Sequence, residues 1–289
     1  MAETGGSLYL VATPIGNLGD VTLRALDVLR TVPLVAAEDT RVTRRLFERH
    51  AIRSRLISYH ARSPERRTEE LLAHLASGAD LALVTDAGTP GISDPGDDLA
   101  ARWAALGGRV VPIPGASAVL AAVSATGIAG PRWSFEGFLP RSGAERRARL
   151  ARVASDERGS VLFERPDRIP ATLRDLSAVA GAERPAAVCR ELTKRHEEIV
   201  RGTLGELAER ARAGELVARG EAVIVVGQAP ARSPADAAPG GSAATTVEAG
   251  RAEVERLVAA GLSRSAAAGR VAAATGLPRR ELYRARDED

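Results

Sequence analysis

The sequence predicts an α/β protein of two domains followed by a small helical module, and three observations carry that prediction. Short apolar runs alternate with helix-patterned stretches from Leu8 onward; the segment "PIPGAS", residues 112–117, interrupts the rhythm before a second series of apolar runs; and after Gly227 the composition turns to Pro, Ala, Gly and Ser. The 289 residues are enough for two compact domains and exceed one ordinary core.

Taken in order, "LYLVAT" reads as a strand and 23–29 as a helix, "PLVAA" as a strand and 43–49 as a helix, "RLISY" as a strand and 69–75 as a helix. "LALVTD", the helical stretch 99–106 and "RVVPI" complete a mostly parallel sheet, and the domain boundary falls near Pro114, giving domains 1–114 and 115–228. The second domain supplies the strands "WSFEGF", "SVLFE", "AAVCREL" and "EAVIVVG". Residues 229–246 lack large apolar side chains and read as a flexible linker. The tail, 247–289, carries three helical patterns broken at "GLS" and "GLP", with Ser263 and Pro278 suited to helix starts, and reads as helix-turn-helix-like.

Composition narrows the function classes. No run approaches the roughly 20 apolar residues of a membrane span, and "MAETGGS" lacks the basic and apolar regions of a signal peptide, so a cytoplasmic protein is expected. Cys189 is the only cysteine, which excludes internal disulfides; His50, His60, His74 and His196 show no ligand spacing, and no structural metal is expected. Lys194 is the only lysine among 40 basic residues, which suggests a position where a compact ammonium serves and a planar guanidinium does not.

Three loops invite a ligand. In "ATPIGNLGD", Gly16, Asn17 and Gly19 tolerate left-handed backbone at the end of the first strand, where a ligand can approach the main chain closely. Glu38 and Asp39 follow the second strand as the ribose-binding acid of a dinucleotide site would, but "PIGNLG" lacks the first glycine of G-x-G-x-x-G. "TDAGTPGISDPG", 85–96, is too rich in Gly, Pro and Asp for an ordinary turn, and "PIPGASA" presents Ser117 and Ala118 at a helix start.

The motifs "ATPIGNLGDVTLRAL", "AAEDTR", "DAGTPGISDPG", "VPIPGASA", "EGFLP" and "RELTK", in this order and spacing, resemble those of the ribosomal RNA small subunit methyltransferase I family, within the tetrapyrrole methylase superfamily. The resemblance runs from about Leu8 to Gly227, and the tail is similar to the family's helix-turn-helix extension. It implies two α/β domains of the tetrapyrrole methylase type with a donor cleft between them. It also implies methyl transfer from S-adenosylmethionine to the ribose 2′-oxygen of a cytidine in the decoding region of small-subunit ribosomal RNA, acting on that RNA or on the assembled small subunit. A homodimer is implied as well. The matching positions assign the donor to Pro14, Asp86, Ala87, Gly88, Thr89, Ile92, Ser117, Ala118, Phe163, Glu164 and Thr193. The chain departs from the family at "FERPDR" and "YHARSP"; His60 is therefore read as a half-buried structural histidine and not as a base.

A ribose hydroxyl is a very weak acid, so a base near it would help; the candidates are Lys194, Asp39 and Glu38, in that order. For the two acids, a helix cap or an ion pair with Arg41 is the competing explanation. Arg41, Arg44 and Arg45 open an arginine-rich stretch, and Arg146 and Arg147 belong to a second cluster, both suited to phosphates. Aromatics are sparse, so shape and phosphate contacts are expected to outweigh stacking. Two alternatives remain at this level: methylation of a tetrapyrrole ring, and a non-enzymatic nucleic-acid-binding regulator using the tail.

Overall fold

The computed structural model describes residues 5–93, 97–217, 219–229, 247–259 and 262–283. It forms two compact units, Met1–Pro230 and Ala231–Asp289. The linker expected at 229–246 lies, from residue 230 on, outside the described residues.

The first unit contains two five-stranded sheets. The first consists of β1 (Ser7–Val11), β2 (Leu34–Ala37), β3 (Arg55–Ser58), β4 (Leu81–Val84) and β5 (Arg109–Ile113), parallel throughout in the order β3-β2-β4-β1-β5. Parallel strands covered on both faces need continuous apolar runs, and every residue of β2 and β4 is buried. Alternate residues serve opposite faces. Val35, Ala37, Ala82 and Val84 pack against α1 (Leu23–Thr31) and α2 (Thr40–Arg49), whereas Leu34, Ala36, Leu81 and Leu83 pack against α3 (Glu65–Ala76) and α4 (Asp97–Ala105). The helix expected over 43–49 begins at Thr40, because Asp39 caps it by accepting a hydrogen bond from the Arg41 N–H.

The second sheet contains β6 (Trp133–Phe138), β7 (Gly159–Glu164), β8 (Pro185–Arg190), β9 (Glu198–Thr203) and β10 (Ala222–Val226), in the order β6-β7-β10-β8-β9. β6 and β7 are parallel; β10 runs antiparallel between β7 and β8, and β9 pairs antiparallel at the edge. One face carries α6 (Gly143–Ser155), α7 (Ile169–Ala180) and α8 (Leu204–Arg212). On the other face lie α5 (Ala118–Thr126) and two residues from loops of the first sheet, Ile15 and Ala87, packed with Val161, Cys189 and Val223. Loops of the first sheet thus share a core with the second sheet. The strand β9 has no counterpart in the sequence reading: as a half-exposed edge strand, "EIVRGT" lacks an apolar run.

In the second unit, α9 (Val247–Ala259), α10 (Arg264–Thr275) and α11 (Arg279–Tyr283) enclose Val254, Ala267, Ala268, Val271 and Leu282. Ser263 caps α10, accepting from the Ala266 N–H, and Gly276 ends it with φ of 73°. Among the described residues no helix is long and apolar enough to cross a membrane.

A buried cation braces the second sheet. Arg184, only 2% exposed, donates to the carbonyls of Gly227 (3.0 Å), Val153 (2.9 Å), Asp156 (3.0 Å) and Arg158 (2.9 Å). Burial pushes its guanidinium pKa down, and the nearby Asp156 charge opposes that fall. Replacing Arg184 with Met would leave these carbonyls without their donor. Denaturant titration of the full chain should show a loss of about 3 kcal/mol or more in the first unit; a loss below about 1 kcal/mol, the usual range of a surface substitution, would contradict this bracing role.

Candidate functional site

The three glycine- and proline-bearing loops leave the carboxyl ends of β1, β4 and β5, adjacent strands of the parallel sheet, and are tied together there. Thr13 and Gly88 exchange backbone hydrogen bonds of 2.8 and 3.0 Å, and the Thr13 hydroxyl donates to the Thr85 carbonyl at 3.0 Å. Gly88 has φ of 82°, a conformation that favours glycine. The Thr89 hydroxyl reaches the Ala116 carbonyl at 3.4 Å, joining the second loop to the third.

These loops and the second sheet enclose a cavity of about 250 Å³. Of the donor residues expected from the resemblance, Ala87, Gly88, Thr89, Ile92, Ser117, Ala118, Phe163 and Glu164 line it. Pro14, Asp86 and Thr193 are the immediate chain neighbours of the lining residues Ile15, Ala87 and Leu192. Ser117 caps α5, so the positive end of that helix's dipole lies at the wall. Phe138, Cys189, Glu221 and Val223 also line the cavity, and sequence reasoning missed them. Their signal was faint: they sit on or beside strands that read as plain apolar runs, and only the pairing of β6 with β7 and of β10 with β7 and β8 brings them together. Burial pushes the Cys189 thiol up to about 11, so it is a neutral wall group.

Glu164, 2% exposed, is held on every side. Its carboxylate accepts from the Arg165 N–H (2.9 Å) and the Thr172 hydroxyl (2.6 Å), with Arg168 Nε at 3.4 Å. Thr172 accepts from Arg146, whose guanidinium also donates to Asp175 and to the Pro140 carbonyl. Arg146 is 7% exposed, and this removes it from the phosphate-binding candidates: its charge is consumed inside the fold, where it orients Glu164 through Thr172. Arg44, Arg45 and Arg147 are exposed, and Arg41 is exposed with its guanidinium paired to Asp39.

The loop after β8 is wound tightly, with Glu191 at φ 50° and Thr193 at φ 67°. Left-handed backbone at a β-branched threonine is strained, and such strain persists only where surrounding contacts impose it. Here the Thr193 N–H donates to Glu197 (2.6 Å), and the aliphatic stem of Lys194 lies against Gly16 of the first loop. The Thr193 hydroxyl oxygen is buried and has no hydrogen-bond partner.

Lys194 does not have the properties of a base. Its ammonium lies 3.0 Å from Glu191 Oε1 and 3.0 Å from Glu221 Oε2. Burial alone would depress its pKa, but these hydrogen bonds outweigh burial and hold it above the ordinary lysine value, opposite to what proton abstraction requires. Asp39 is corrected likewise: paired with Arg41 and accepting that residue's N–H, it is driven down to about 2 and serves as cap and ion pair. Glu38 differs. Burial raises its pKa against a hydrogen bond from the Asp86 N–H (3.3 Å), and the Asp86 carboxylate, itself raised by burial, accepts from the Asp39 N–H (2.9 Å). His60, expected to be half-buried, is exposed; its Nδ1 accepts from the Arg62 N–H at 3.1 Å.

This assignment fixes a titration order. Carboxyl NMR should find Asp39 titrating near pH 2, below its ordinary 3.8, and Glu38 above its ordinary 4.5. Because the folded pKa of Asp39 is depressed, its contribution to α2 is present above pH 3.8 and is lost as pH falls through about 2. In Arg41→Ala the Asp39 midpoint should return toward 3.8; an unmoved midpoint would refute the ion-pair explanation.

Comparison with known proteins agrees with this architecture. The sequence pattern of the Tetrapyrrole (Corrin/Porphyrin) Methylases matches residues 7–208. A ribosomal RNA small subunit methyltransferase I from Synechocystis sp. is 47% identical over 278 residues, 96% of each chain. The protein of the same name from Pseudomonas aeruginosa is 47% identical over 204 residues, 71% of this chain and 72% of its own. Among solved structures, a cobalt precorrin-4 methyltransferase of cobalamin biosynthesis superposes with a TM-score of 0.60 at 20% identity, covering 76% of this chain and 94% of the other. Uroporphyrin-III C-methyltransferase from Thermus thermophilus, complexed with S-adenosylhomocysteine, gives 0.56 at 20% identity, covering 77% and 97%. The chain belongs to the tetrapyrrole methylase family and, within it, to the ribosomal RNA small subunit methyltransferase I group.

Proposed function

We propose that the protein transfers a methyl group from S-adenosylmethionine to the ribose 2′-oxygen of a cytidine in the decoding region of small-subunit ribosomal RNA. The observation that carries this reading is the cavity at the carboxyl ends of β1, β4 and β5, roofed by the second sheet, in a chain 47% identical over 96% of its length to a ribosomal RNA small subunit methyltransferase I. Ligands of open α/β sheets bind at such strand ends.

The bound donor supplies a methyl group on a sulfonium, which needs no metal and no covalent enzyme intermediate. The chain's part is to hold, orient and keep dry, which can supply most of the acceleration of an in-line displacement. Backbone groups of the loops around Pro14, Asp86–Thr89 and Ser117–Ala118 would hold the polar parts of the donor, and Ile92, Phe163 and Leu192 its apolar surface. Glu38 is assigned to accept a proton from the ribose hydroxyl: it is not part of the cavity wall, but it accepts from the N–H of Asp86, the neighbour of the lining residue Ala87, and its burial raises its pKa, whereas Lys194 and Asp39 are committed to ion pairs. Arg44, Arg45 and Arg147 would meet RNA phosphates. The enzyme acts as a cytoplasmic homodimer on small-subunit RNA or the assembled small subunit.

Purified protein supplied with methyl-labelled S-adenosylmethionine should label small ribosomal subunits from cells lacking the endogenous activity, on one ribose 2′-oxygen of the decoding region. Glu38→Gln should lower kcat by about 100-fold in the same assay, within the usual span for a general base. Donor binding without transfer to subunits or RNA would overturn the reading in favour of a small-molecule acceptor.

A further inference from the structure

The chain has four phenylalanines, and three of them, Phe135, Phe138 and Phe163, form one cluster, of which Phe138 and Phe163 line the cavity. Phe163 meets Phe135 edge-on at 4.9 Å between ring centroids and Phe138 at 5.5 Å. Phe135 and Phe163 are partly buried, but Phe138 is 50% exposed at the cavity's edge. A half-exposed phenylalanine is common; one that the backbone has been bent to present is not.

The strand β6 contains a bulge at that point. Ser134 and Glu136 face away from the cavity, Ser134 meeting Ser160 and Glu136 pairing with Arg149 of α6. By the strand's period of two, Phe138 would follow them to that side. The register shifts between Phe135 and Gly137, with Gly137 at φ 59°, so that Phe135 pairs with Val161 and Phe138 with Phe163. One extra residue therefore turns the Phe138 ring to the cavity side, the use to which bulges beside active sites are put. A Cβ at Gly137 would also stand 3.2 Å from Ser93 Oγ of the loop after β4, so glycine suits this position twice over.

The residues that follow the ring in the chain point to what it receives. Exposed Arg141 and Arg147 follow within nine residues of chain, on the turn into α6 and on its first turns. An exposed aromatic face followed closely along the chain by exposed guanidinium groups suits an unstacked nucleotide, the ring stacking on the base and the arginines meeting phosphates. We propose that Phe138 is the stacking platform for the nucleobase of the nucleotide being methylated, holding its ribose toward the interior of the cavity. This deepens the function proposed above and rests on it.

The test compares the full-length wild type with Phe138→Ala, Phe138→Leu and Phe138→Tyr. Each is assayed for methyl transfer to small ribosomal subunits and for S-adenosylmethionine binding by calorimetry. Phe138→Ala should raise the KM for subunits about 10- to 100-fold, the usual loss of one base–aromatic stack, with donor Kd unchanged within about twofold. Phe138→Tyr should restore KM to within about threefold and Phe138→Leu should not, because stacking needs a planar ring. An unchanged KM in Phe138→Ala, full rescue by Leu, or a donor affinity that falls in step with KM would overturn the proposal; the last result would place the ring against the donor instead. A wild type that binds donor but labels no subunits would defeat the functional reading and this proposal together. A labelling wild type with an indifferent Phe138→Ala defeats the proposal alone.

Discussion

The site depends on an absent side chain. Gly16, in the loop after β1, is the point where the first sheet's loops meet the loop after β8 of the second sheet, and a Cβ there would collide with Lys194 Cγ, stand 2.9 Å from its Cε and 3.1 Å from Thr193 Oγ1. With hydrogen at that position, the lysine stem can lie against the loop after β1 and carry its ammonium to Glu191 and Glu221, tying the loop after β8 to the residue that enters β10. Glu191 and Thr193 accept strained left-handed backbone in that arrangement. The lone lysine is thus explained by shape: a slender stem fits against Gly16 where a broad guanidinium would need more room.

Charge is used in two ways in this arginine-rich chain. Arg184 and Arg146 are buried braces, one gathering four carbonyls and the other reaching Glu164 through Thr172. Arg44, Arg45 and Arg147 remain at the surface, available to a polyanion. The acidic groups divide similarly: Asp39 is neutralised by Arg41, whereas Glu38 and Asp86 each hold a raised pKa through burial while bonded to backbone N–H groups of facing loops.

Much of this was legible in the sequence where local chemistry decides structure. The runs "LYLV" and "LALV" read as strands of a mostly parallel sheet, as they are, and the glycines and prolines of "TDAGTPGISDPG" and "PIPGASA" marked loops that do line the cavity. What escaped notice depends on partners distant in the chain. Edge strand β9 gains its order from β8, and Arg146 and Arg184 look like any other arginine until the fold buries them. Glu38 and Asp86 are 48 residues apart, and the sequence ranked Lys194 above Asp39 and Glu38 as a base because a solitary residue suggested a special position, whereas its two carboxylate partners make it a stable cation. Phe138 illustrates the same limit: by parity it faces α6, and only the bulge sends it the other way.

The reading stands or falls on whether the cavity lined by Ile15 and Leu192, the neighbours of the Gly16–Lys194 contact, is the donor site. Calorimetric titration of S-adenosylmethionine into full-length Gly16→Ala, beside the wild type, tests it directly. Donor affinity should fall at least about tenfold, about 1.4 kcal/mol, with the thermal transition retained. Unchanged affinity in a folded variant would contradict it and remove the loop contact from any part in donor binding.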